Sequence, residues 1–247
     1  MEKILNYING ELIPPYSGEY LDNYNPSTGK VYSLIADSDK NDINNAVAAA
    51  KEAFKTWRLT TKEERSNILI KIADNLEKYT DELIIAESKD NGKPESLAAK
   101  VDLPRASTNL RFFASAILHD SSDMHEMDGT AINYTLRQPI GVAACISAWN
   151  LPLYLLTWKI APAIASGNTV VAKPSEVTPM TAYMFSKICI EAGLPKGVLN
   201  IVHGLGSKVG DPLTTHPDTP IISFTGGTAT GQHIASVTSP MFKKLSL

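Results

Sequence analysis

The sequence predicts an α/β fold in which helices cover a Rossmann-like parallel sheet. Four short apolar runs lie in the second half of the chain, at residues 141–146, 169–172, 198–202 and 221–224, and helical stretches separate them. Each run also ends in a polar or glycine-rich segment that leads into a helix. Strands that are apolar throughout are typical of parallel sheets buried on both faces. Right-handed crossovers between such strands give a doubly wound sheet.

Composition excludes several classes of protein. With 247 residues, 43% of them hydrophobic, the chain is long enough to bury a large core, and its net charge of -3 gives no reason to expect nucleic acid as a partner. No apolar run approaches the roughly 18–20 residues that span a bilayer, so we expect no membrane partner. Two cysteines make no disulfide framework and suit a reducing compartment, so we expect a cytoplasmic protein.

The first half of the chain predicts short strands followed by helices. Residues 5–37 alternate short strands and turns, with a hairpin at Asn9-Gly10. Apolar residues at helical spacing predict two long helices between residues 43 and 76, and a third from about 97 to 118 that Pro104 breaks or kinks. Residues 119–129 are polar and are interpreted as a linker, whereas 131–137 alternate like a strand.

These patterns divide the chain into three parts. Residues 1–120 form the N-terminal helical part, residues 121–138 form a linker and a strand, and residues 139–247 form an incomplete Rossmann-like core. We find no internal repeat and no low-complexity tract.

Polar segments follow all four strands of the predicted core, at 147–152, 173–176, 203–210 and 225–231. Parallel sheets bind their ligands at the carboxyl ends of the strands, so these segments are the candidate site. The two glycine-rich segments suit a phosphate, because glycine lets the backbone approach closely and the following helix offers free N–H groups. Neither matches the usual Gly-x-Gly-x-x-Gly pattern, and no P-loop motif is present, so ordinary glycine turns remain an alternative.

At these segments the chain resembles the aldehyde dehydrogenase superfamily. The motifs that carry the resemblance occur in the family's order and spacing, and the likeness extends from the Asn9-Gly10 hairpin to the last residues. They are Pro139-Ile140-Gly141-Val142, Trp149-Asn150-Leu151-Pro152-Leu153, Lys173-Pro174-Ser175-Glu176, Gly204-x-Gly206 and Phe224-Thr225-Gly226-Gly227. Within the family, the chain is most similar to 2-aminomuconic and 2-hydroxymuconic semialdehyde dehydrogenases.

The resemblance implies NAD-dependent oxidation of an aldehyde to a carboxylic acid. In the family a cysteine thiolate attacks the aldehyde, a hydride leaves to NAD, and a water activated by a glutamate hydrolyses the thioester. Asn150 matches the residue whose side-chain amide stabilises the oxyanion, a role whose loss typically costs about 100–1000-fold in rate. From its own position alone, Asn150 could instead cap the helix that follows.

The resemblance also assigns the cofactor site. Lys173 and Glu176 match the pair that holds the adenosine ribose hydroxyls, and a carboxylate there favours NAD over NADP. Gly226 and Gly227 match the phosphate-binding turn, although many relatives carry serine where this chain has Gly227. The full predicted cofactor-binding set is Ile146, Ser147, Trp149, Lys173, Ser175, Glu176, Gly206, Gly210, Phe224, Thr225, Gly226 and Gly227. Without the motifs around them, Lys173 and Glu176 could be a surface lysine and a first-turn helix acid.

Arg105 matches a position that pairs with the substrate carboxylate in the semialdehyde branch, a task suited to the bidentate fork of arginine. The implied substrate is therefore a small carboxylated aldehyde. As an alternative, Arg105 is a solvated helix charge. Trp149 and Trp158 are interpreted as packing residues. His203, His216 and His233 lack metal-ligand spacing and are interpreted as ordinary polar positions.

The chain departs from the family pattern at its end. In the family the general-base glutamate follows the match to 243–247, and the nucleophilic cysteine lies in a separate catalytic domain. Cys145 and Cys189 lie in apolar segments typical of buried, inert thiols. We therefore expect an aldehyde dehydrogenase fold truncated before the catalytic domain, inactive alone, with an exposed sheet edge. In a longer chain we expect a homo-oligomer that uses the strand near 131–138. The alternative is a catalytically inactive dinucleotide-binding or interaction module.

Overall fold

A computed structural model describes all 247 residues, and strands precede helices at its N-terminus. The strands are β1 (Glu2–Ile4), β2 (Asn6–Ile8), β3 (Glu11–Ile13), β4 (Tyr20–Asn25), β5 (Lys30–Ala36), β6 (Met124–Met127), β7 (Ala131–Tyr134), β8 (Val142–Ile146), β9 (Thr169–Lys173), β10 (Leu199–Ile201), β11 (Ile221–Phe224) and β12 (Lys244–Ser246). The α-helices are α1 (Lys40–Trp57), α2 (Lys62–Lys78), α3 (Thr80–Asn91), α4 (Glu95–Leu97), α5 (Leu103–Leu118), α6 (Pro152–Ala165), α7 (Met180–Glu191), α8 (Gly206–Thr214) and α9 (Thr228–Thr238).

A seven-stranded sheet organises the molecule, with strand order β12-β11-β8-β9-β10-β2-β3. The strands β8 to β12 run parallel, as their pairing registers show. The four predicted core strands are confirmed with bounds that differ by at most a residue or two. Because all four run in one direction, their carboxyl ends meet along one edge of the sheet.

Side chains of the central strands alternate between two apolar layers. On β8, Val142 and Ala144 pack with α1, α8 and α9 in one buried cluster. Ala143 and Cys145 of the same strand pack with α2, α5, α6 and α7 in the other. Both faces are therefore covered, which explains why the strand sequences are apolar throughout rather than alternating.

The N-terminal strands contribute more to the sheet than the sequence predicted. Strand β2 pairs antiparallel with β10, through Tyr7 and Ile201, and β3 extends the sheet beyond it. Asn9 and Gly10 form the tight turn between them with φ of 52° and 79°, which confirms the predicted hairpin. Strands β1, β5 and β4 form a separate three-stranded sheet.

The helical region of the first half contains two features that the sequence analysis missed. Helix α3 follows α2 directly, and it buries Glu87 and Asp90 on the face where a helix usually presents apolar residues. A π-helical turn at Ala98–Asp102 precedes α5. Helical backbone runs from Glu95 to Leu118, and this π-helical turn interrupts it directly before Pro104, which confirms the helix predicted from about 97 to 118 with a break at Pro104.

Residues 119–129, which the sequence analysis interpreted as a linker, contain strand β6. It pairs antiparallel with the predicted strand near 131–137, here β7, in a two-stranded hairpin. Every residue of β6 and β7 is exposed. The two strands pair only with each other, and neither face of the hairpin is covered by the rest of the chain.

Strand β12 lies at one end of the main sheet, and all three of its residues are exposed.

No helix has both the length and the apolar character needed to cross a bilayer. The structure contains no group of three or more His, Cys, Asp or Glu side chains placed to hold a metal ion.

Candidate functional site

A cavity of about 1020 Å³ opens at the carboxyl edge of the main sheet. The ends of β8, β9 and β11 and the first turns of α8 and α9 form its walls. Its lining includes Asn150 and all twelve predicted cofactor-binding residues, namely Ile146, Ser147, Trp149, Lys173, Ser175, Glu176, Gly206, Gly210, Phe224, Thr225, Gly226 and Gly227. Segments separated by about 80 residues of sequence thus meet at one concave surface.

Lys173 and Glu176 form an ion pair at the end of β9. The Lys173 side chain is 5% exposed and donates to the Glu176 carboxylate, whose other oxygen accepts from the backbone N–H of Gly206 at 3.5 Å. Burial acts to raise the pKa of Glu176, but the charge and hydrogen bond of Lys173 outweigh it and hold that pKa below its usual value. The pair therefore presents an ionised carboxylate beside an ammonium group at neutral pH.

The glycine-rich segments leave two helix N-termini open to the cavity. Neither α8 nor α9 has a side-chain cap at its N-cap residue. The Gly206 N–H of α8 binds Glu176, and the other N–H groups of the two first turns that lack intrahelical partners remain available to a ligand. A Cβ on Gly206 would lie 3.8 Å from Lys173 Nζ and 3.9 Å from Glu176 Oε1, and would occupy space beside that pair. A Cβ on Gly226 would collide with the Phe224 ring, whereas one on Gly227 would meet nothing within 4 Å.

Asn150 lies in the segment between β8 and α6. Leu151, not Asn150, occupies the N-cap position of α6, and no side chain caps that helix. The alternative interpretation of Asn150 as a helix cap is therefore wrong. Its backbone carbonyl accepts from Lys93 Nζ at 3.1 Å, and the residue lines the cavity beside Trp149. Ser147, at the start of the segment, buries a hydroxyl oxygen that has no partner.

Arg105 lies outside this cavity. It is exposed on α5, where its guanidinium lies 5.3 Å from the centroid of the Tyr154 ring and its Nη2 donates to the Tyr154 hydroxyl at 3.4 Å. Phe113 and Trp158 extend the same aromatic surface along α5 and α6. Trp158 is 45% exposed, and its ring packs edge-on against those of Phe113 and Tyr154, in agreement with its interpretation as a packing residue.

The structure adds residues to the site that sequence reasoning missed. Asp211 of α8 and His233 of α9 both line the cavity, and His233 Nε2 lies 2.8 Å from Asp211 Oδ1. The interpretation of His233 as an ordinary surface position is therefore incomplete, because its ring joins the two helices across the cavity. No local pattern marks the two residues, because their contact depends on how α8 packs beside α9. Ala148, Ser207, Thr214, Ala229, Thr230 and Ile234 complete the lining.

His203 also differs from its interpretation as an ordinary polar position. It is 1% exposed, and neither ring nitrogen has a hydrogen-bond partner. Burial, and secondarily the charge of Lys173, lower the pKa of His203 to about 3. The imidazole is therefore neutral throughout the physiological range.

Both cysteines are fully enclosed. Burial raises the pKa of Cys145 to about 12, and it raises the pKa of Cys189 as well. Neither thiol faces the cavity, and neither forms the thiolate that a nucleophile requires.

Comparison with known proteins agrees with this geometry. The family model of the aldehyde dehydrogenase family matches residues 13–247. The 2-aminomuconic semialdehyde dehydrogenase of Danio rerio is 53% identical, and the match covers 98% of this chain and 50% of that protein. The 2-hydroxymuconic semialdehyde dehydrogenase of Pseudomonas sp. strain CF600 is 43% identical over 95% of this chain and 49% of its own length.

Solved structures match as well. The NAD+ complex of aldehyde dehydrogenase from Bacillus cereus superposes with a TM-score of 0.97 at 35% identity, covering 99% of this chain and 50% of that one. This chain therefore spans about half the length of the relatives it matches. From the fold, the cavity and these similarities, the chain belongs to the aldehyde dehydrogenase family.

Proposed function

We propose that this chain binds NAD and forms the cofactor-binding part of an enzyme that oxidises an aldehyde to a carboxylic acid. The observation that carries the proposal is the cavity at the carboxyl edge of the sheet, with the Lys173–Glu176 pair at the end of β9. The Bacillus cereus relative, superposable over 99% of this chain, is described as an NAD+ complex.

The residues present fit this cofactor. Glu176 and Lys173 supply an acceptor and a donor suited to the two hydroxyls of a ribose. The uncapped first turns of α8 and α9 supply N–H groups to a pyrophosphate, and the small glycines let it approach the backbone. When bound, the nicotinamide ring supplies the hydride acceptor of the oxidation.

Glu176 underlies the proposed preference for NAD over NADP. Its carboxylate is ionised and accepts from Lys173 and from the Gly206 N–H. A free 2′-hydroxyl can donate to such a carboxylate, whereas a 2′-phosphate would be repelled by it.

Asn150 is the proposed donor to the oxyanion that forms when a thiolate adds to the aldehyde carbonyl. Its side-chain amide is available because it does not cap α6. Since Cys145 and Cys189 are buried with raised pKa values, we propose that the attacking thiolate and its general base come from outside these 247 residues. The second candidate function, a dinucleotide-binding module without catalysis, is favoured by the same burial of both thiols.

For the substrate we propose a carboxylated semialdehyde. Arg105 is exposed beside Tyr154 with no carboxylate partner in the chain, so its charge is available to an anionic substrate group. The relatives from Danio rerio and Pseudomonas carry names of semialdehyde dehydrogenases.

We also propose that the exposed β6–β7 hairpin mediates homo-oligomerisation. We propose further that the parts 1–120, 121–138 and 139–247 act as structural units, and that the protein is cytoplasmic.

Calorimetric titration of the 247-residue chain with NAD and NADP tests the cofactor proposal. We expect saturable NAD binding and at least tenfold weaker NADP binding. Glu176→Ala should weaken NAD binding by about tenfold, the usual effect of losing one charged hydrogen bond. The ratio of the NADP and NAD dissociation constants should become smaller in this variant. Glu63→Ala, which removes an exposed acid from the first turn of α2, is the control. Equal affinity for both dinucleotides, or none for either, would contradict the proposal.

A further inference from the structure

The segment that carries Asn150 is held by side chains from another part of the chain. Residues 147–151 connect β8 to α6, and α6 has no side-chain cap to fix its start. Two successive backbone carbonyls of this segment accept hydrogen bonds from the end of α3 and the turn after it. Asn91 Nδ2 donates to the carbonyl of Trp149 at 2.8 Å, and Lys93 Nζ donates to the carbonyl of Asn150 at 3.1 Å.

Lys93 is itself fixed in place by buried carboxylates. Its ammonium donates to Asp102 Oδ1 at 2.8 Å and lies 3.6 Å from Glu87 Oε1. The side chains of Asp102 and Glu87 are fully buried, and that of Lys93 is 6% exposed. The ammonium is therefore largely shielded from solvent, and its bond to the Asn150 carbonyl is part of a buried polar network.

The π-helical turn explains how Asp102 reaches this network. The turn spans Ala98–Asp102 and places Asp102 inward at its end, directly before α5. Wide turns of this kind are rare and occur mostly at functional sites. The network thus joins α3 and the π-helical turn, which are close in sequence, to the cavity segment that follows about 45 residues later.

With both carbonyls engaged on the α3 side, the backbone of Trp149 and Asn150 cannot rotate freely, and both residues line the cavity. We propose that Asn91 and Lys93 are positioning residues, which hold the 149–150 backbone so that the Asn150 side-chain amide stays directed to the reacting oxygen. The catalytic part of this inference rests on the proposed function. The restraint of the 149–150 backbone by Asn91 and Lys93 does not depend on that function.

Hydrogen exchange measured by mass spectrometry on the 247-residue chain, without cofactor, tests whether these side chains restrain the 149–150 backbone. The isosteric Asn91→Asp removes the N–H donor, and we expect the amide of Leu155, which donates to the Leu151 carbonyl of this segment at 2.9 Å, to exchange about tenfold faster, the effect of one lost hydrogen bond. Asn91→Gln keeps an amide donor and should return most of the protection. Asn75→Asp, whose side chain contacts Lys78 and not this segment, is the matched control.

Lys93→Met should accelerate exchange of the same amide more strongly. Should that variant fail to fold, because it leaves Asp102 and Glu87 without a cation, the half-exposed Asn91 alone decides the question. Unchanged exchange at Leu155 in Asn91→Asp, with a melting temperature equal to that of the parent, would overturn the proposal.

Titration with NAD supplies a second readout. Because Trp149 and Asn150 line the cavity, Asn91→Asp should raise the dissociation constant of NAD several-fold, whereas Asn75→Asp should leave it unchanged. Absence of NAD binding by the parent chain would refute the proposed function. The exchange measurement would still test the restraint of the 149–150 backbone independently. Faster exchange with unaltered NAD affinity would overturn the link between this backbone and the site.

Discussion

At the scale of single residues, His203 has a buried imidazole that no hydrogen bond satisfies. It follows β10, is fully buried, and has no partner for either ring nitrogen. Its backbone N–H is satisfied by the side chain of Asn6 at 2.9 Å, so the cost falls on the imidazole alone. A buried polar atom without a partner typically costs about 1–3 kcal/mol.

We predict that His203→Leu stabilises the chain by about 1 kcal/mol at neutral pH, because it removes two unpaired buried nitrogens. The gain should grow as the pH falls. The folded pKa of about 3 lies below the unfolded value near 6.5, so the unfolded state binds more protons and the parent loses stability as the pH drops between these values. Urea unfolding at pH 7.5 and pH 5 measures both effects.

His119→Leu is the control, because that histidine is exposed at the C-terminal end of α5. An equal stability difference between His203→Leu and the parent at both pH values would refute the assigned ionisation state of His203.

Residue types in motifs were predictable, but their neighbours across helices were not. Asn150, Lys173 and Glu176 were identified from short ordered motifs, and the structure brings them to one cavity. Asp211 and His233 were missed because their contact depends on how α8 packs beside α9. No local pattern in the sequence encodes that packing.

At the scale of elements, the junction between β11 and α9 shows why two adjacent glycines are not equivalent. The Phe224 ring lies against Gly226 and Gly231, so a side chain at Gly226 would displace the ring from the cavity wall. Gly227 has open space around it and an ordinary negative φ of -69°. It occupies the N-cap position of α9, where serine is a preferred residue.

We predict that Gly226→Ala weakens NAD binding by at least tenfold, because Phe224 and the phosphate-binding turn must shift to admit the methyl group. Gly227→Ala should have little effect on affinity and serves as the control. Gly227→Ser should stabilise α9 by about 0.5 kcal/mol as a cap and should not weaken NAD binding. Titration calorimetry and thermal unfolding of the three variants check these outcomes, and equal losses for both alanine variants would contradict them.

Elements buried on both faces were predictable, and elements that depend on distant partners were not. Strand β9 could be located within a residue because its three central residues, at 170–172, form a continuous apolar run. Helix α3 was missed because it buries Glu87 and Asp90, which obscures the usual apolar stripe. Strand β6 was missed because each of its residues is exposed and only pairing with β7 makes it a strand.

At the scale of the whole molecule, the β6–β7 hairpin leaves an apolar surface without a cover. Met124 pairs with Tyr134, and Glu126 pairs with Ile132, so three of these four side chains form an apolar row on one face of the hairpin. Met124, Ile132 and Tyr134 are each more than 60% exposed. Exposed apolar rows on a hairpin with free strand edges favour association with another chain.

We predict that the chain self-associates through this hairpin and that Ile132→Asp weakens the association by at least tenfold, since it places a charge in the apolar row. Sedimentation velocity over a range of concentrations measures the effect. Asn133→Asp adds the same charge on the opposite face of the hairpin and is the control. A parent chain that stays monomeric at high micromolar concentration would refute the proposed oligomer surface.

The pairing of β2 with β10 has a consequence for how the molecule is made. The backbone N–H of Asn9 binds the side chain of Asn200, 191 positions further along the chain. At ribosomal rates of about 5–20 residues per second, that partner emerges about 10–40 s after the N-terminal hairpin. This hairpin is thus synthesised well before the residues that it pairs with. We expect folding to be slow for a chain of this length. We also expect it to depend on chaperones that protect the unpaired edge of β2 until β10 has been synthesised.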